Sequence, residues 1–168
     1  MSVETYEAVQ LSDPRIAPAI ELIWREAHLL DRKEYREWDR LWAPGSRYVI
    51  PIDPDTEDFA SALNMVYDDD RMRRMRIERL TSGYSISATA AARTVRTLSR
   101  FVVQHRDDET VELSSAQVLV GYRREETFVL GADVTHRIRV DGVEPLIEEK
   151  VVRLINSTGA VNASGFLL

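Results

Sequence analysis

Cysteine is absent from the 168 residues. Disulfides, thiolate nucleophiles, cysteine-based zinc sites and cysteine-ligated iron–sulfur clusters are therefore excluded within this chain. Histidine is scarce: His28, His105 and His136 are the three present, far apart in sequence. A site of two histidines and a carboxylate would need two of them to converge, and nothing in the pattern requires that. Apolar runs are short, and none approaches the ~20 residues that span a bilayer. The opening Met-Ser-Val-Glu-Thr-Tyr-Glu has neither the basic start nor the apolar stretch of a signal peptide, so a cytoplasmic location is expected. No glycine loop suited to phosphate is present, and Gly83-x-Ser85-x-Ser87 lacks the second glycine of a nucleophile elbow. With 22 Lys+Arg against 28 Asp+Glu the net charge is −6, and no broad basic face is expected for nucleic acid.

What remains has the composition of a soluble globular protein, 44% hydrophobic and 30% charged, with enough residues for a substantial core. No repeat or flexible linker divides it, so residues 1–168 read as a single domain. Asp13 and Pro14 suit the start of a first helix. Ile16, Ile20, Ile23, Ala27 and Leu30 then share one helical face. Asp31-x-x-Glu34 has the form of a capping box for a second helix, whose apolar side is Tyr35, Trp38 and Leu41 or Trp42. Ala43-Pro44-Gly45-Ser46 stops it, and Arg47–Pro51 reads as a short strand. Residues 53–62 form an acidic loop and Asn64–Tyr67 a strand or buried segment. Asp68, Asp69 and Asp70 open a helix carrying Arg71, Arg73, Arg74, Arg76 and Arg79, closed by Thr81-Ser82-Gly83. Met72, Met75 and Leu80, with Ile77 nearby, are its expected buried side.

The second half is strand-like: Val95–His105, Val111–Arg123, Thr127–Val140 and Leu146–Ile155, separated by short polar turns. Val134, His136, Ile138 and Val140 share one face of the third of these. The pattern predicts an α+β fold in which a strongly curved antiparallel sheet wraps around the N-terminal helices as a cone with an internal cavity.

Several segments, in order, resemble the small (β) subunit of aromatic-ring-hydroxylating Rieske non-haem iron dioxygenases. They are Glu26-Ala27-His28-Leu29-Leu30-Asp31, Tyr35-x-x-Trp38-x-x-Leu41, Tyr48-Val49-Ile50-Pro51 and Val66-Tyr67-Asp68-Asp69-Asp70-Arg71. Arg76-Ile77-Glu78-Arg79-Leu80, Arg93-Thr94-Val95-Arg96, Lys150-Val151-Val152-Arg153-Leu154-Ile155 and Asn162–Leu168 complete the set. Ser85–Ala92 and Gly142-Val143-Glu144-Pro145 depart from the family's usual pattern.

The resemblance implies a cystatin-like, nuclear-transport-factor-2-like (NTF2-like) cone and a non-catalytic subunit. The Rieske [2Fe-2S] cluster and mononuclear iron would be held by a large (α) oxygenase subunit in a mixed hexamer that cis-dihydroxylates aromatic rings. A reductase would supply electrons, and the isolated small chain would be a homotrimer. It implies no catalytic, cofactor-binding or metal-binding residue in this chain, and no nucleic-acid or membrane partner.

A second reading keeps the fold and changes the function: a stand-alone isomerase, dehydratase or cyclase using Asp31, Tyr48 and His136 in the cone cavity. His136 is its centre, since strand alternation turns it toward an apolar face. The plainer account makes it a core histidine satisfied by a tyrosine hydroxyl or a backbone carbonyl. The group Tyr35, Trp38, Trp42 and Tyr48 is read as core, and the arginine-rich helix as solvated or subunit-facing. A third reading is a homodimeric carrier of a small aromatic ligand.

Overall fold

A computed structural model describes residues 7–82, 92–157 and 166–168. Helix α1 (Ile16–Asp31) buries Ile16, Ala19, Ile20, Ile23, Ala27 and Leu30, which includes the whole predicted stripe. Its start differs from expectation: Arg15 is the N-cap residue and makes no side-chain cap. Asp13 instead turns its carboxylate onto the Arg15 backbone N–H and guanidinium and onto Arg106. Short helix α2 (Tyr35–Asp39) buries Tyr35 and Trp38. No capping box forms, because the Asp31 carboxylate is used elsewhere.

The strands are β1 (Glu7–Ala8), β2 (Trp42–Pro51), β3 (Asn64–Asp68), β4 (Arg93–Arg106), β5 (Thr110–Arg123), β6 (Glu126–Arg139) and β7 (Leu146–Leu154). Strands β4 to β7 are the predicted meander, each antiparallel to the next. The β5–β6 turn carries Arg124 and Glu125 at φ 52° and 65°. Two successive left-handed residues match the twist of a two-residue hairpin, here without the usual Asn-Gly.

The sheet itself corrects the sequence reading. Its order is β1-β4-β5-β6-β7-β2-β3, and β2 runs parallel to β7 while pairing antiparallel with β3. The fold is α+β with a mixed seven-stranded sheet that is neither closed nor strongly curled, in place of a strongly curved antiparallel cone. The physical reason is connectivity. Four strands and a helix separate β2 from the meander's last strand, and so long a crossover permits parallel pairing that a short hairpin forbids. The Ala43–Ser46 cluster does not end a helix either. It lies within β2, where the register with β7 shifts between Trp42 and Arg47 and Gly45 takes φ 78°.

Helix α3 (Asp70–Thr81) starts as expected: the Asp69 carboxylate accepts from the Met72 N–H at 2.8 Å. Its buried side follows expectation at Ile77 and departs from it at the two methionines. Met72 and Met75 are exposed by 43% and 49%, whereas Arg73 and Ile77 are buried. Arg73 gains more inside than a methionine would. Its guanidinium lies 4.4 Å over the Trp42 ring and donates to Asp39, Ser46 and Asp70. Gly83, the predicted stop, lies outside the described residues.

Alternation along β5 sends Val111, Leu113, Ser115, Gln117 and Leu119 inward with Leu130, Ala132, Val134, His136 and Ile138 of β6. The apolar members of this set make one hydrophobic cluster with the α1 stripe, Trp38, Trp42 and Tyr48. Trp38, Trp42 and Tyr48 meet edge to face at 5.3–6.0 Å between ring centres. The aromatic group is core, as read from the sequence.

Candidate functional site: a buried charge cluster

Three ionisable side chains meet inside this apolar core. Glu26 lies on the buried face of α1, between Ile23 and Leu30 at helical spacing. His136 and Lys150 face each other across the β6–β7 register, and Lys150 faces Tyr48 across β7–β2. All are almost fully buried, His136 at 0% and Glu26 and Lys150 at 1% exposure.

Glu26 organises them. Its Oε1 accepts from the Lys150 ammonium at 2.9 Å and from the Trp38 indole N–H at 2.9 Å. Its Oε2 lies 2.7 Å from His136 Nε2. Lys150 also donates to the Leu168 carbonyl at 2.9 Å. The Tyr48 hydroxyl donates to that same oxygen at 2.9 Å and accepts from the Leu168 N–H at 3.1 Å.

Burial opposes the charge on Glu26, but Lys150 and the hydrogen bonds from His136 and Trp38 outweigh it and hold the carboxyl well below the usual range. Burial pushes His136 down, the Glu26 charge only partly offsetting it, so the ring is neutral. Nε2–H then donates to Glu26, and Nδ1 has no hydrogen-bond partner among the described residues. Burial also drives the Tyr48 phenol well above its ordinary value. Burial pushes Lys150 down as well, and the Glu26 carboxylate at 2.9 Å opposes that shift, so the pair balances an anion against a cation beside a neutral imidazole, a set that an apolar interior tolerates.

Asp31, Tyr48 and His136 do not come together as one site. Asp31 ends α1, and its carboxylate accepts from the Thr94 hydroxyl at 2.8 Å and from both the backbone N–H and Nε of Arg96 at 2.9 Å. It borders an open groove of about 500 Å³ with Arg93, Val95 and Tyr122. Tyr48 borders a different cavity, of about 80 Å³, with Arg76 and Phe166. His136 lines neither, and its partner is Glu26 instead of a tyrosine or a backbone carbonyl. A cavity of 80 Å³ is far below the several hundred that ligand sites enclose.

Sequence reasoning missed Glu26 and Lys150. The signals were present: Glu26 falls within the α1 stripe, and Lys150 has the parity of Val152 and Leu154 on β7. Among the described residues no group of three His, Cys, Asp or Glu side chains is placed to hold a metal ion. Neither a Rieske cluster nor an iron triad fits this chain's own residues.

Helices packed on an open mixed sheet, with Glu26 pairing Lys150 and His136 in the core, define an NTF2-like scaffold without a substrate-sized chamber at its buried charges among the described residues. Residues 25–159 match the family of the ring hydroxylating beta subunit, and the chain belongs to that family. Its place in an aromatic-ring-hydroxylating dioxygenase is that of the small, non-catalytic subunit.

Solved structures agree on the fold. The beta subunit of benzoate 1,2-dioxygenase from Burkholderia mallei is similar at a TM-score of 0.74 and 17% identity, over 95% of this chain and 99% of that one. A naphthalene 1,2-dioxygenase chain gives 0.78 and 18%, over 96% and 90%. ActVI-ORFA from Streptomyces coelicolor gives 0.59 and 10%, over 83% and 96%. No curated protein sequence matches the chain.

Proposed function

We propose that this chain, folded as one domain over residues 1–168, works by assembly: it joins a large oxygenase subunit in a mixed hexamer and stabilises it. The large subunit carries the Rieske cluster and the mononuclear iron, receives electrons from a reductase, and cis-dihydroxylates an aromatic ring in the cytoplasm. The observation that carries this reading is the closure of the interior. Glu26 holds Lys150, Trp38 and His136, and Lys150 and Tyr48 share the Leu168 carbonyl, so these side chains are engaged inside the core and border no substrate-sized cavity among the described residues. Among the described residues no helix is long and apolar enough to cross a membrane.

The test is affinity capture of the tagged chain from its native cells, followed by iron analysis and visible absorption. A larger partner in equal amount with a Rieske-type spectrum is expected. Recovery of the chain alone and iron-free, from cells growing on aromatic compounds, would overturn the assembly reading.

A further inference from the structure

Phe166, Leu167 and Leu168 belong to no helix or strand, yet they lie inside the core, exposed by only 6%, 4% and 2%. Among the described residues, the hydrogen bonds of Leu168 run to side chains of two different strands. The Tyr48 hydroxyl on β2 meets both of its backbone polar groups, accepting from the N–H at 3.1 Å and donating to the oxygen at 2.9 Å. Lys150 on β7 donates to the same oxygen at 2.9 Å.

The side chains of the segment have a prepared seat. The Phe166 ring stacks on Phe128, with 5.5 Å between ring centres and 25° between planes. Phe128 faces Gly121 across the β5–β6 register, and a Cβ at Gly121 would stand 2.1 Å from its ring. Glycine therefore clears the space in which the ring beneath Phe166 lies. Leu167 and Leu168 close over Ile50 and Val66, beside a void of about 80 Å³.

A segment that only covered the core would leave its backbone to water. Here two buried polar side chains on separate strands are committed to it, and both would lose a partner without it, at a cost that an apolar interior does not refund. Fixed polar groups for one backbone unit, with apolar slots for the flanking side chains, are the means by which a pocket holds a bound peptide. Withdrawal of three large residues would widen the void past the ~300 Å³ at which ligand pockets begin, with Tyr48 in its wall.

We infer that Phe166–Leu168 is a ligand held in cis, and that the pocket beneath it is a binding site for an apolar peptide segment of the pattern Phe-Leu-Leu. The closed interior of this chain is then an occupied site, filled by its own residues. The site is complete within one chain, so occupancy of this pocket and capture of the large subunit are separate outcomes.

The test uses the full-length chain carrying Phe166→Asp and Leu167→Asp. Its own segment cannot return to the pocket, because two carboxylates would have to be buried without partners. The melting temperature should fall by about 6 °C or more. The peptide acetyl-Ser-Gly-Phe-Leu-Leu is then added in trans, with calorimetry and thermal melts as readouts. Saturable one-to-one binding is expected, recovering most of the lost melting temperature at about 100 times the peptide's Kd. The wild-type chain, with its pocket filled, should bind none at that concentration, and the scrambled peptide acetyl-Ser-Leu-Gly-Leu-Phe should not bind the variant. Adding Tyr48→Phe to the variant should weaken the peptide by about 10-fold, since the hydroxyl that meets both backbone groups is gone.

If the double variant is unfolded, the peptide should refold it, read by far-ultraviolet circular dichroism. A folded variant that binds no peptide, or an unfolded one that the peptide does not rescue, overturns the inference. Equal binding by the wild-type chain, equal binding of the scrambled peptide, or an affinity unmoved by Tyr48→Phe does so too.

Discussion

Replacing Glu26 by Gln removes the one anion that compensates Lys150 and also disturbs His136 and Trp38. Breaking a buried ion pair from one side costs about 3–5 kcal/mol, because the remaining charge stays in the apolar interior. At roughly 2–4 °C per kcal/mol for a chain of this size, the melting temperature should fall by about 6–20 °C. Lys150→Met strands the carboxylate instead and should cost a similar amount. The double variant is the sharper test. With both charges gone the desolvation penalty goes too, so the double should be far less destabilised than the sum of the singles, with a coupling of about 2–3 kcal/mol.

Urea titration followed by tryptophan fluorescence reads all four proteins, and Trp38 reports directly because its indole N–H is bonded to Glu26. Singles that each cost under about 1 kcal/mol, or that add without coupling, would refute the charged, paired state argued for this cluster. A destabilised Glu26→Gln complex that still turns over normally at low temperature is the outcome expected of a structural cluster in a non-catalytic subunit.

Stability should fall with acid in two stages. Below about pH 6.5 the unfolded His136 takes up a proton that the buried ring refuses, and below about 4.5 the unfolded Glu26 carboxylate does the same while its folded counterpart stays ionised. Each contributes a slope of up to about 1.4 kcal/mol per pH unit, measurable as urea midpoints against pH, and His136→Gln should flatten the upper stage. Gly121→Ala would place a methyl 2.1 Å from the Phe128 ring, which stacks on Phe166 at 5.5 Å. Moving that ring should cost about 1–3 kcal/mol in a thermal melt. Arg73→Met should cost about 2–3 kcal/mol, and Arg73→Lys should recover little of it, since an ammonium cannot both cover Trp42 and serve Asp39, Ser46 and Asp70.

The elements that the sequence announced are those governed by local pattern. The α1 stripe, the Asp69 cap and the four meander strands follow from apolar periodicity and capping chemistry, which act over a few residues. Side-chain parity likewise turned His136 inward, as the structure has it. What was illegible depends on contacts between distant segments. A ten-residue strand carries no mark of the direction in which it will pair, so the parallel β2–β7 register, and with it the open mixed sheet, has no local signal. The capping-box pattern at Asp31 lost to Thr94 and Arg96, 63 and 65 residues away, which offer that carboxylate three hydrogen bonds in place of one.

The charge cluster shows the same limit from another side. Glu26 and Lys150 occupy positions that periodicity assigns to the core, yet a charged residue in such a position reads as an exception until its partner is known. The partners are 124 residues apart. Only the packing of α1 across the sheet brings the carboxylate to the ammonium, and only then does burial of either become affordable. Polar residues at core parity on two separate elements, one acidic and one basic, are therefore best read together as a candidate pair. That reading would have found Glu26 and Lys150 from the sequence. It would also have given His136 its acidic neighbour before any catalytic role was considered for it.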